Sequence, residues 1–176
     1  MKIKVKEITE GCKFNFLPQG EWIDLRAAET VVFKAPQASS RRRETINGEQ
    51  ISRRDVTFDF KAIKLGIAME LPKGLEAIML PRSSTLKNFG VISANSQGVI
   101  DNSYSGDDDE WGFPAIALRE TTINKGDRIC QFRIQPSQKA TIWQKLKWLF
   151  TRKIEFKWVD KLHNNNRGGF GSTGTK

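Results

Sequence analysis

The chain has 176 residues, of which 38% are hydrophobic and 28% are charged, and its formal net charge is +9 at pH 7. This length suits one domain with its own core and leaves too little for two full-sized domains. The apolar runs are far shorter than the ~20 residues of a membrane-spanning helix, which excludes a membrane protein of that kind. The positive charge indicates an anionic ligand: nucleotide, nucleic acid or membrane surface.

The N-terminus alternates lysine with β-branched residues and has no signal-peptide pattern. The two cysteines, Cys12 and Cys130, have neither the CxxC spacing of a redox pair nor metal-site spacing. We therefore expect two reduced thiols and, by elimination, a cytoplasmic protein.

Period-two alternation of apolar and polar residues dominates the chain and predicts many short strands. The candidate strands, in chain order, are residues 3–8, 30–33, 56–65, 66–70, 74–80, 114–118, 128–134 and 154–159. Tight turns at residues 71–74, 88–90 and 124–127 separate several of them. Many short strands joined by tight turns predict an all-β barrel or jelly roll.

Helix is scarce in the predicted fold. Residues 81–88 form one candidate, with Ser83 or Ser84 as its N-cap, and residues 141–150 form the other. The basic segment 38–54 (ASSRRRETINGEQISRR) predicts a surface loop or an extended hairpin that turns at Asn47-Gly48. A solvated surface is the favoured interpretation of its arginine clusters.

The last residues, 164–176, contain four glycines, three asparagines and one apolar residue, Phe170. Such a segment buries too little surface to offset its ordering entropy, so we expect it to be mobile in the free protein. Arg167 could bind phosphate through two hydrogen bonds, the glycines expose backbone N–H groups, and Ser172 and Thr173 add hydroxyls. Phe170 could stack on a base.

Residues 98–106 (GVIDNSYSG) form a second candidate site. Apolar pairs at residues 91–92 and 99–100 flank a polar stretch and predict a β-hairpin. Asp101 follows an apolar pair, so it could lie partly desolvated at a pocket edge, as a general base requires. Tyr104 is the one tyrosine of the chain. The alternative is an ordinary turn aspartate with a half-buried tyrosine.

Two further segments could bind anions or merely form turns: residues 80–85 (LPRSST) and residues 126–131 (GDRICQ). Because His163 is the one histidine and lies beside the tail that we expect to be mobile, a Ser-His-Asp triad and a histidine-rich metal site are excluded. The acidic residues 107–110 (DDDE) are interpreted as a solvated loop in preference to a cation site.

Taken in order, these pieces resemble the five motifs of the trimeric dUTP pyrophosphatase (dUTPase) family. The motifs stand at residues 22–28 (WIDLRAA), 81–84 (PRSS), 98–106, 126–131 and 167–174 (RGGFGSTG). The resemblance spans residues 3–174 and is interrupted by inserts at about 38–54 and 139–152. We expect the 139–152 insert and the acidic run after Gly106 to alter the surface or add a partner site without touching the chemistry. The first motif departs from the family, which has Ala-Gly where this chain has Trp22-Ile23.

The resemblance implies a jelly-roll-like β-barrel with one or two short helices that assembles as a homotrimer. Residues 1–162 would form this domain, and residues 163–176 a mobile tail that closes a neighbouring active site. The implied reaction is Mg²⁺-dependent hydrolysis of dUTP to dUMP and pyrophosphate, which keeps uracil out of DNA and supplies dUMP for thymidylate synthesis. It requires neither nucleic acid nor a membrane.

The resemblance also assigns roles to single residues. Asp101 would activate the attacking water, Tyr104 would pack under the deoxyribose, and the backbone at Gly98, with Asn95, would recognise uracil. The phosphate-binding residues would be Arg82, Ser83, Ser84 and Gln131, and the tail residues would be Arg167, Phe170, Gly171, Ser172 and Thr173. Asp24 would act on the hydrated Mg²⁺ through water.

Other functions stay open at this point. A dCTP deaminase has the same fold and the Arg-Ser-Ser motif, but it relies on a glutamate in the strand after the third motif, where this chain has residues 114–118 (PAIAL). A nucleic-acid-binding module would use the positive charge and the RGG-like tail, and salt would weaken its binding. A regulatory relative without activity would lack Asp101, Arg82 or Phe170, and all three are present.

Overall fold

The computed structural model of the chain describes residues 1–14, 21–151 and 153–169. These residues are mostly strand with two short helices, which confirms the predicted all-β class. The elements are β1 (Lys2–Glu7), β2 (Ile23–Arg26), β3 (Val31–Phe33), β4 (Gln37–Ala38), β5 (Arg42–Ile46), β6 (Glu49–Arg53), β7 (Val56–Thr57), β8 (Phe60–Lys64), β9 (Ile67–Glu70), β10 (Leu75–Pro81), α1 (Thr85–Phe89), β11 (Val91–Ser93), β12 (Gly98–Asp101), β13 (Gly112–Ala117), β14 (Thr121–Ile123), β15 (Arg128–Pro136), α2 (Ile142–Leu149) and β16 (Glu155–Val159).

Three larger sheets enclose one hydrophobic core. Their strand orders are β12-β10-β15-β2, β16-β1-β9 and β11-β13-β8. Strand β1 shows how the sequence selects the buried face, because Ile3 and Val5 are buried while Lys2 and Lys4, which alternate with them, are exposed. Phe132 lies at the centre of the core, where its ring packs edge-on against Trp111 at 5.2 Å between ring centroids.

The two ends of the domain meet in one sheet. Strand β16 pairs in parallel with β1, from Lys2 opposite Glu155 to Lys6 opposite Val159. This ladder fixes the point at which the chain leaves the sheet toward its C-terminal segment.

The predicted strands agree with the structure for most of the chain, with two differences here. The predicted strand 56–65 is broken into β7 and β8, and at the break the Asp59 side chain accepts a hydrogen bond from the Lys34 backbone N–H at 2.8 Å. Strands β2, β4 and β14 were not among the predicted ones. Residues 38–54 form the expected hairpin of β5 and β6, which turns at Asn47 (φ 52°) and Gly48 (φ 84°).

The hairpin predicted at residues 91–100 is wrong. Strand β11 pairs with β13, and β12 pairs with β10 in a different sheet. The polar residues between them form a crossing turn in which the Ala94 N–H donates to the Pro114 carbonyl at 2.9 Å. Local apolar pairs predict two strands here, but they do not decide which partners those strands choose.

Helix α1 is shorter than predicted, because residue 81 still belongs to β10 and the helix begins at Thr85 with Ser84 as N-cap. Helix α2 begins at the capping box of Thr141 and Gln144. Its apolar row is directed to solvent, where Trp143 is 77% exposed and Leu149 is 74% exposed. Neither helix in the described part of the chain has the length and apolar content to cross a membrane.

Both cysteines are buried free thiols, as predicted. Burial raises the pKa of each thiol, and the negative charge of Asp24 raises that of Cys130 further. Protonated, buried thiols are poor nucleophiles, so neither cysteine is a candidate for catalysis.

Candidate active site

Asp101 ends β12 and is held by its near neighbour Ser103. Its Oδ1 accepts hydrogen bonds from the Ser103 backbone N–H at 2.8 Å and from the Ser103 hydroxyl at 2.5 Å, and Nη1 of Arg167 lies 3.2 Å from its Oδ2. Burial acts to raise the pKa of Asp101, but these hydrogen bonds and the charge of Arg167 outweigh it and hold the pKa below its ordinary value. The side chain is 48% exposed. Asp101 is therefore an ionised carboxylate that solvent can reach.

Tyr104 lies beside Asp101 at the end of a short turn. Its backbone N–H donates to the Asp101 carbonyl at 3.2 Å, and its hydroxyl donates to the Glu110 carbonyl at 2.8 Å. Burial raises the pKa of Tyr104, and the charges of Asp109 and Glu110 add to this effect. The ring is thus a neutral, half-buried surface with a fixed orientation next to the carboxylate.

Gly98 and Asn95 lie at the other end of β12. Gly98 is buried opposite Met79, and a Cβ atom at this glycine would lie 3.0 Å from the Met79 Cε. Asn95 is exposed in the crossing turn, where its Oδ1 accepts a hydrogen bond from the Ser93 hydroxyl at 2.9 Å. The turn presents open backbone and amide groups, as recognition of a polar ring edge requires.

A second cluster joins the first, second and fourth motifs around Asp24. This carboxylate is 9% exposed; its Oδ1 accepts from Nε of Arg82 at 2.8 Å, and its Oδ2 accepts from Nη1 of Arg128 at 3.1 Å. Each oxygen thus holds one guanidinium, and the negative charge offsets the repulsion between the two cations. The geometry makes Asp24 a clamp that orients Arg82 and Arg128.

The remaining phosphate-binding candidates lie next to this clamp. Ser83 is exposed and Ser84 is partly exposed in the turn that precedes α1. Gln131 lies opposite Leu80 on the paired strand β15, and its Nε2 donates to the Pro81 carbonyl at 3.3 Å. The structure therefore brings Arg82, Ser83, Ser84 and Gln131 to one end of the β10–β15 ladder.

The two clusters lie far apart in one chain. Asp101 lies opposite Glu76 near the start of β10, whereas Arg82 follows Pro81 at its end. Arg82 lies six positions after Glu76 along the chain, and at ~3.3 Å per residue this is a distance of about 20 Å. One chain cannot bring the Asp101 cluster and the Arg82 cluster around the same small molecule.

The start of the C-terminal segment lies on the Asp101 cluster of its own chain, whereas the resemblance implies a tail that closes a neighbouring active site. Besides the ion pair between Arg167 and Asp101, Gly169 lies so near Tyr104 that a Cβ atom there would be 3.1 Å from the tyrosine hydroxyl. The predicted site residues Phe170, Gly171, Ser172 and Thr173 lie outside the described residues.

A cavity of about 560 Å³ borders Asp101. One wall includes Glu76, Val99 and Asp101, and the other includes Lys139 and Gln144 from the insert at 139–152. The first residues of the insert therefore line the same cavity as Asp101.

Three residues that support the site were not predicted from the sequence. Ser103 holds Asp101, Arg128 shares Asp24 with Arg82, and Asp109 is 1% exposed. The interpretation of residues 107–110 as a solvated loop is wrong, since the backbone N–H groups of Gly106, Arg167 and Gly168 all donate to the Asp109 carboxylate. A Ser two positions after an Asp is a local signal that could have been used. Arg128 and Asp109 are distant in sequence from the residues that they contact, Asp24 and Arg167.

A family profile and individual protein sequences match this chain. A profile of the family described as dUTPase matches residues 52–174, which include the second to fifth motifs. Over 177 aligned residues, all of this chain and all of the relative, the sequence is 48% identical to the SPbeta prophage-derived deoxyuridine 5'-triphosphate nucleotidohydrolase YosS of Bacillus subtilis (strain 168). It is 34% identical over 116 residues, 65% of this chain and 69% of the relative, to the deoxyuridine 5'-triphosphate nucleotidohydrolase of Anaplasma marginale (strain St. Maries).

Solved structures have the same fold. The dUTPase from Streptococcus mutans superposes with a TM-score of 0.57 at 17% identity, over 75% of this chain and 91% of that chain. A mutant of the Staphylococcus bacteriophage 80alpha dUTPase with dUpNHpp gives a TM-score of 0.55 at 17% identity, over 98% of both chains. A mutant dUTPase from phage phi11 of S. aureus, described as coordinating a structural Mg(II) ion, gives a TM-score of 0.55 at 17% identity, over 80% of this chain and 94% of that chain. These structures confirm the predicted fold, and with the profile match and the full-length relative they lead to one conclusion: the chain belongs to the dUTPase family.

Proposed function

We propose that this chain hydrolyses dUTP to dUMP and pyrophosphate, as a homotrimer, with Asp101 as the base that activates the attacking water. The observation that carries the proposal is the ionised, accessible Asp101 beside the half-buried Tyr104, in a chain of the dUTPase family. The 48% identical relative is itself named a deoxyuridine 5'-triphosphate nucleotidohydrolase.

The chemistry needs few groups. Asp101 accepts a proton from water as the water oxygen bonds to phosphorus, the bond between the α- and β-phosphates breaks, and pyrophosphate leaves with the electron pair. A positioned general base contributes about 10²–10⁴-fold to such a step. The remaining acceleration comes from positioning and from charge on the phosphate oxygens.

Substrate recognition divides between the two clusters. On the Asp101 side, Tyr104 packs under the deoxyribose, and the backbone at Gly98 with Asn95 binds the uracil edge. On the Arg82 side, the triphosphate is held by Arg82, Ser83, Ser84 and Gln131. In the tail, Phe170 and Gly171 cover the uracil, while Arg167, Ser172 and Thr173 bind the γ-phosphate.

The separation of about 20 Å along β10 supports a site made from more than one chain. A closed homotrimer can place the start of β10 of one subunit against the end of β10 of a neighbour, because its contacts are head-to-tail. Each of three equivalent sites then has an Asp101 cluster and an Arg82 cluster from different subunits.

Magnesium enters this proposal with the substrate. The described residues contain no group of three His, Cys, Asp or Glu side chains that could hold a metal ion, and both Asp24 oxygens accept from arginines. These donors do not fit a metal site built by the protein. Mg²⁺ commonly keeps several waters and binds substrate phosphates, so the proposed substrate is the magnesium complex of dUTP.

One assay tests the function. The protein is incubated with Mg²⁺ and, separately, dUTP, dTTP, dCTP and UTP, and pyrophosphate and ammonia are measured. We expect pyrophosphate from dUTP alone. Ammonia from dCTP would indicate the deaminase, and no turnover of any nucleotide would contradict the proposal. The buried, apolar Ala115 and Ala117 of β13, where the deaminase has its glutamate, favour the hydrolase.

Replacing Asp24 tests the clamp. Asp24→Asn removes the charge shared by Arg82 and Arg128, so the two guanidinium groups repel each other and lose their orientation. A hydrogen bond to a charged group contributes about 1.5–3 kcal/mol, so we expect kcat/KM for dUTP to fall roughly 10- to 100-fold, mainly through KM. Steady-state kinetics at saturating Mg²⁺ measures this change.

The same variant separates the clamp from the metal role first assigned to Asp24. If Asp24 only orients arginines, the Mg²⁺ concentration that gives half-maximal rate stays at the wild-type value. A shift of that concentration, with recovery at high Mg²⁺, would instead support an outer-sphere contact to the metal. Asp160→Asn, at an exposed position, is the matched control.

The acidic limb of the pH profile reports the state of Asp101. Because its pKa is lowered, the carboxylate keeps its charge below the ordinary aspartate range, and kcat/KM falls only at lower pH. Ser103→Ala removes the hydroxyl donor but keeps the backbone donor, so the pKa rises and the acidic limb moves to higher pH. The exposed Ser52→Ala is the control. An unmoved limb would show that Asp101 is not the titrating base.

A further inference from the structure

Each aspartate of residues 107–109 contacts residues at or near the start of the C-terminal tail. Asp107 Oδ1 accepts from the Leu162 N–H at 2.9 Å, and Asp108 Oδ2 accepts from the Asn166 side chain at 2.7 Å. Asp109 receives the N–H groups of Arg167 and Gly168. The loop that follows Tyr104 therefore binds residues 162–168 in register, one aspartate after another.

Asp109 differs from its neighbours in burial and in its donors. Its Oδ2 accepts from the Gly106 N–H at 2.8 Å and from the Arg167 N–H at 2.9 Å, and its Oδ1 accepts from the Gly168 N–H at 3.0 Å. Burial acts to raise the pKa of Asp109, but these backbone hydrogen bonds outweigh it and lower the pKa. A buried carboxylate is tolerated when several N–H groups solvate it, so its charge depends on the tail segment being in place.

This contact sets where the functional part of the tail begins. With the Arg167 and Gly168 amides on Asp109, the Arg167 guanidinium lies 3.2 Å from Asp101 and Gly169 lies beside the Tyr104 hydroxyl. Asp109 itself follows Tyr104 by five positions, so one rigid loop determines both the ring and the start of the tail. Fixing the start of a flexible segment reduces the entropy lost when the remainder closes.

We propose that Asp109 is a positioning residue for catalysis, which holds the start of the glycine-rich tail against the Asp101–Tyr104 half of the site. The proposal rests on the proposed dUTP hydrolysis for its effect on rate, but the contact itself can be tested without substrate. Asp109 touches neither water nor nucleotide in the reaction; it acts through residues 167–169.

The first test uses trypsin, which cleaves after Arg167 only when that segment leaves the loop. Asp109→Asn removes the charge that binds the Arg167 and Gly168 amides, so cleavage after Arg167, followed by mass spectrometry, should be about tenfold faster or more. Asp160→Asn is the matched control, because Asp160 is exposed and lies outside the loop that binds residues 162–168. Equal cleavage rates in wild type and Asp109→Asn would overturn the proposal.

The second test separates positioning from general damage. In the full chain, Asp109→Asn should lower kcat/KM for dUTP about tenfold or more, whereas in a chain that ends at Asn166 it should change nothing, because no tail remains to be positioned. A rate loss that persists in the shortened chain would contradict the proposal. If wild type does not hydrolyse dUTP, the proposed function fails, and the trypsin result still decides the contact.

A measurement on the wild-type protein covers the case in which Asp109→Asn does not fold. The amide hydrogens of Arg167 and Gly168 should exchange with solvent at least about tenfold more slowly than those of an unstructured glycine-rich segment. Exchange at the unprotected rate would show that Asp109 does not hold them.

Discussion

We expect Asp101→Asn to lower kcat for dUTP by about 10²–10⁴-fold and to leave nucleotide binding largely intact. Asparagine has nearly the shape of aspartate and can still accept hydrogen bonds from Ser103, so the turn toward Tyr104 is kept. It cannot accept the proton of the attacking water at neutral pH. Single-turnover kinetics gives the chemical rate, and calorimetry of dUTP binding to the variant gives the affinity.

Two controls make this result specific. Asp55→Asn changes an exposed aspartate between β6 and β7 that pairs with Arg42, and it should keep full activity. The thermal unfolding of Asp101→Asn should match that of wild type within a few degrees, because the side chain is half exposed. An Asp101→Asn variant that retains the wild-type rate would remove Asp101 as the base.

We expect deletion of residues 167–176 to lower kcat/KM for dUTP by at least about 10²-fold without dissociating the proposed trimer. The deletion removes the Arg167 guanidinium, the aromatic ring of Phe170 and the hydroxyls of Ser172 and Thr173 together. Loss of one donor to developing negative charge already costs about 10²–10³-fold in well-studied enzymes. Steady-state kinetics measures the rate, and light scattering after size-exclusion chromatography measures the oligomer.

The deletion should be mild for the fold because the last strand, β16, ends at Val159, well before the cut. It does leave Asp109 without the amides of Arg167 and Gly168, which costs about 1–3 kcal/mol of stability. Deleting residues 175–176 alone removes no motif residue and is the control. A chain without residues 167–176 that works at full rate would contradict the proposed role of the tail.

The strands that the sequence predicted well are those with one buried face. In β1 the alternation of Ile3 and Val5 with lysines is visible in the sequence because solvent lies on the other face. Strand β2 carries no such alternation, because Ile23, Asp24 and Leu25 are all buried. An aspartate predicts a loop, and the sequence does not show that Arg82 and Arg128 stabilise this one inside a buried strand.

The site could be predicted where its groups are neighbours in sequence. Asp101 and Tyr104 share one motif, and the structure places them together. Asp24 and Arg128, by contrast, are 104 positions apart, and Asp109 and Arg167 are 58 apart. For such pairs the sequence shows two charged residues with no sign of each other. Asp109 was therefore interpreted from its own surroundings as part of a solvated loop, and the role of Asp24 came only from the family resemblance.

Strand β10 carries the Asp101 cluster and the Arg82 cluster at opposite ends, so in the proposed homotrimer an active site would belong to the assembly and not to one chain. In the proposed homotrimer, a chain with Asp101→Asn still offers an intact Arg82 to a neighbour, and a chain with Arg82→Ala still offers an intact Asp101. When equal amounts of these two inactive chains assemble at random, about a quarter of the sites combine both intact groups. Two defective alleles present in one cell would then complement each other, although neither encodes a working enzyme.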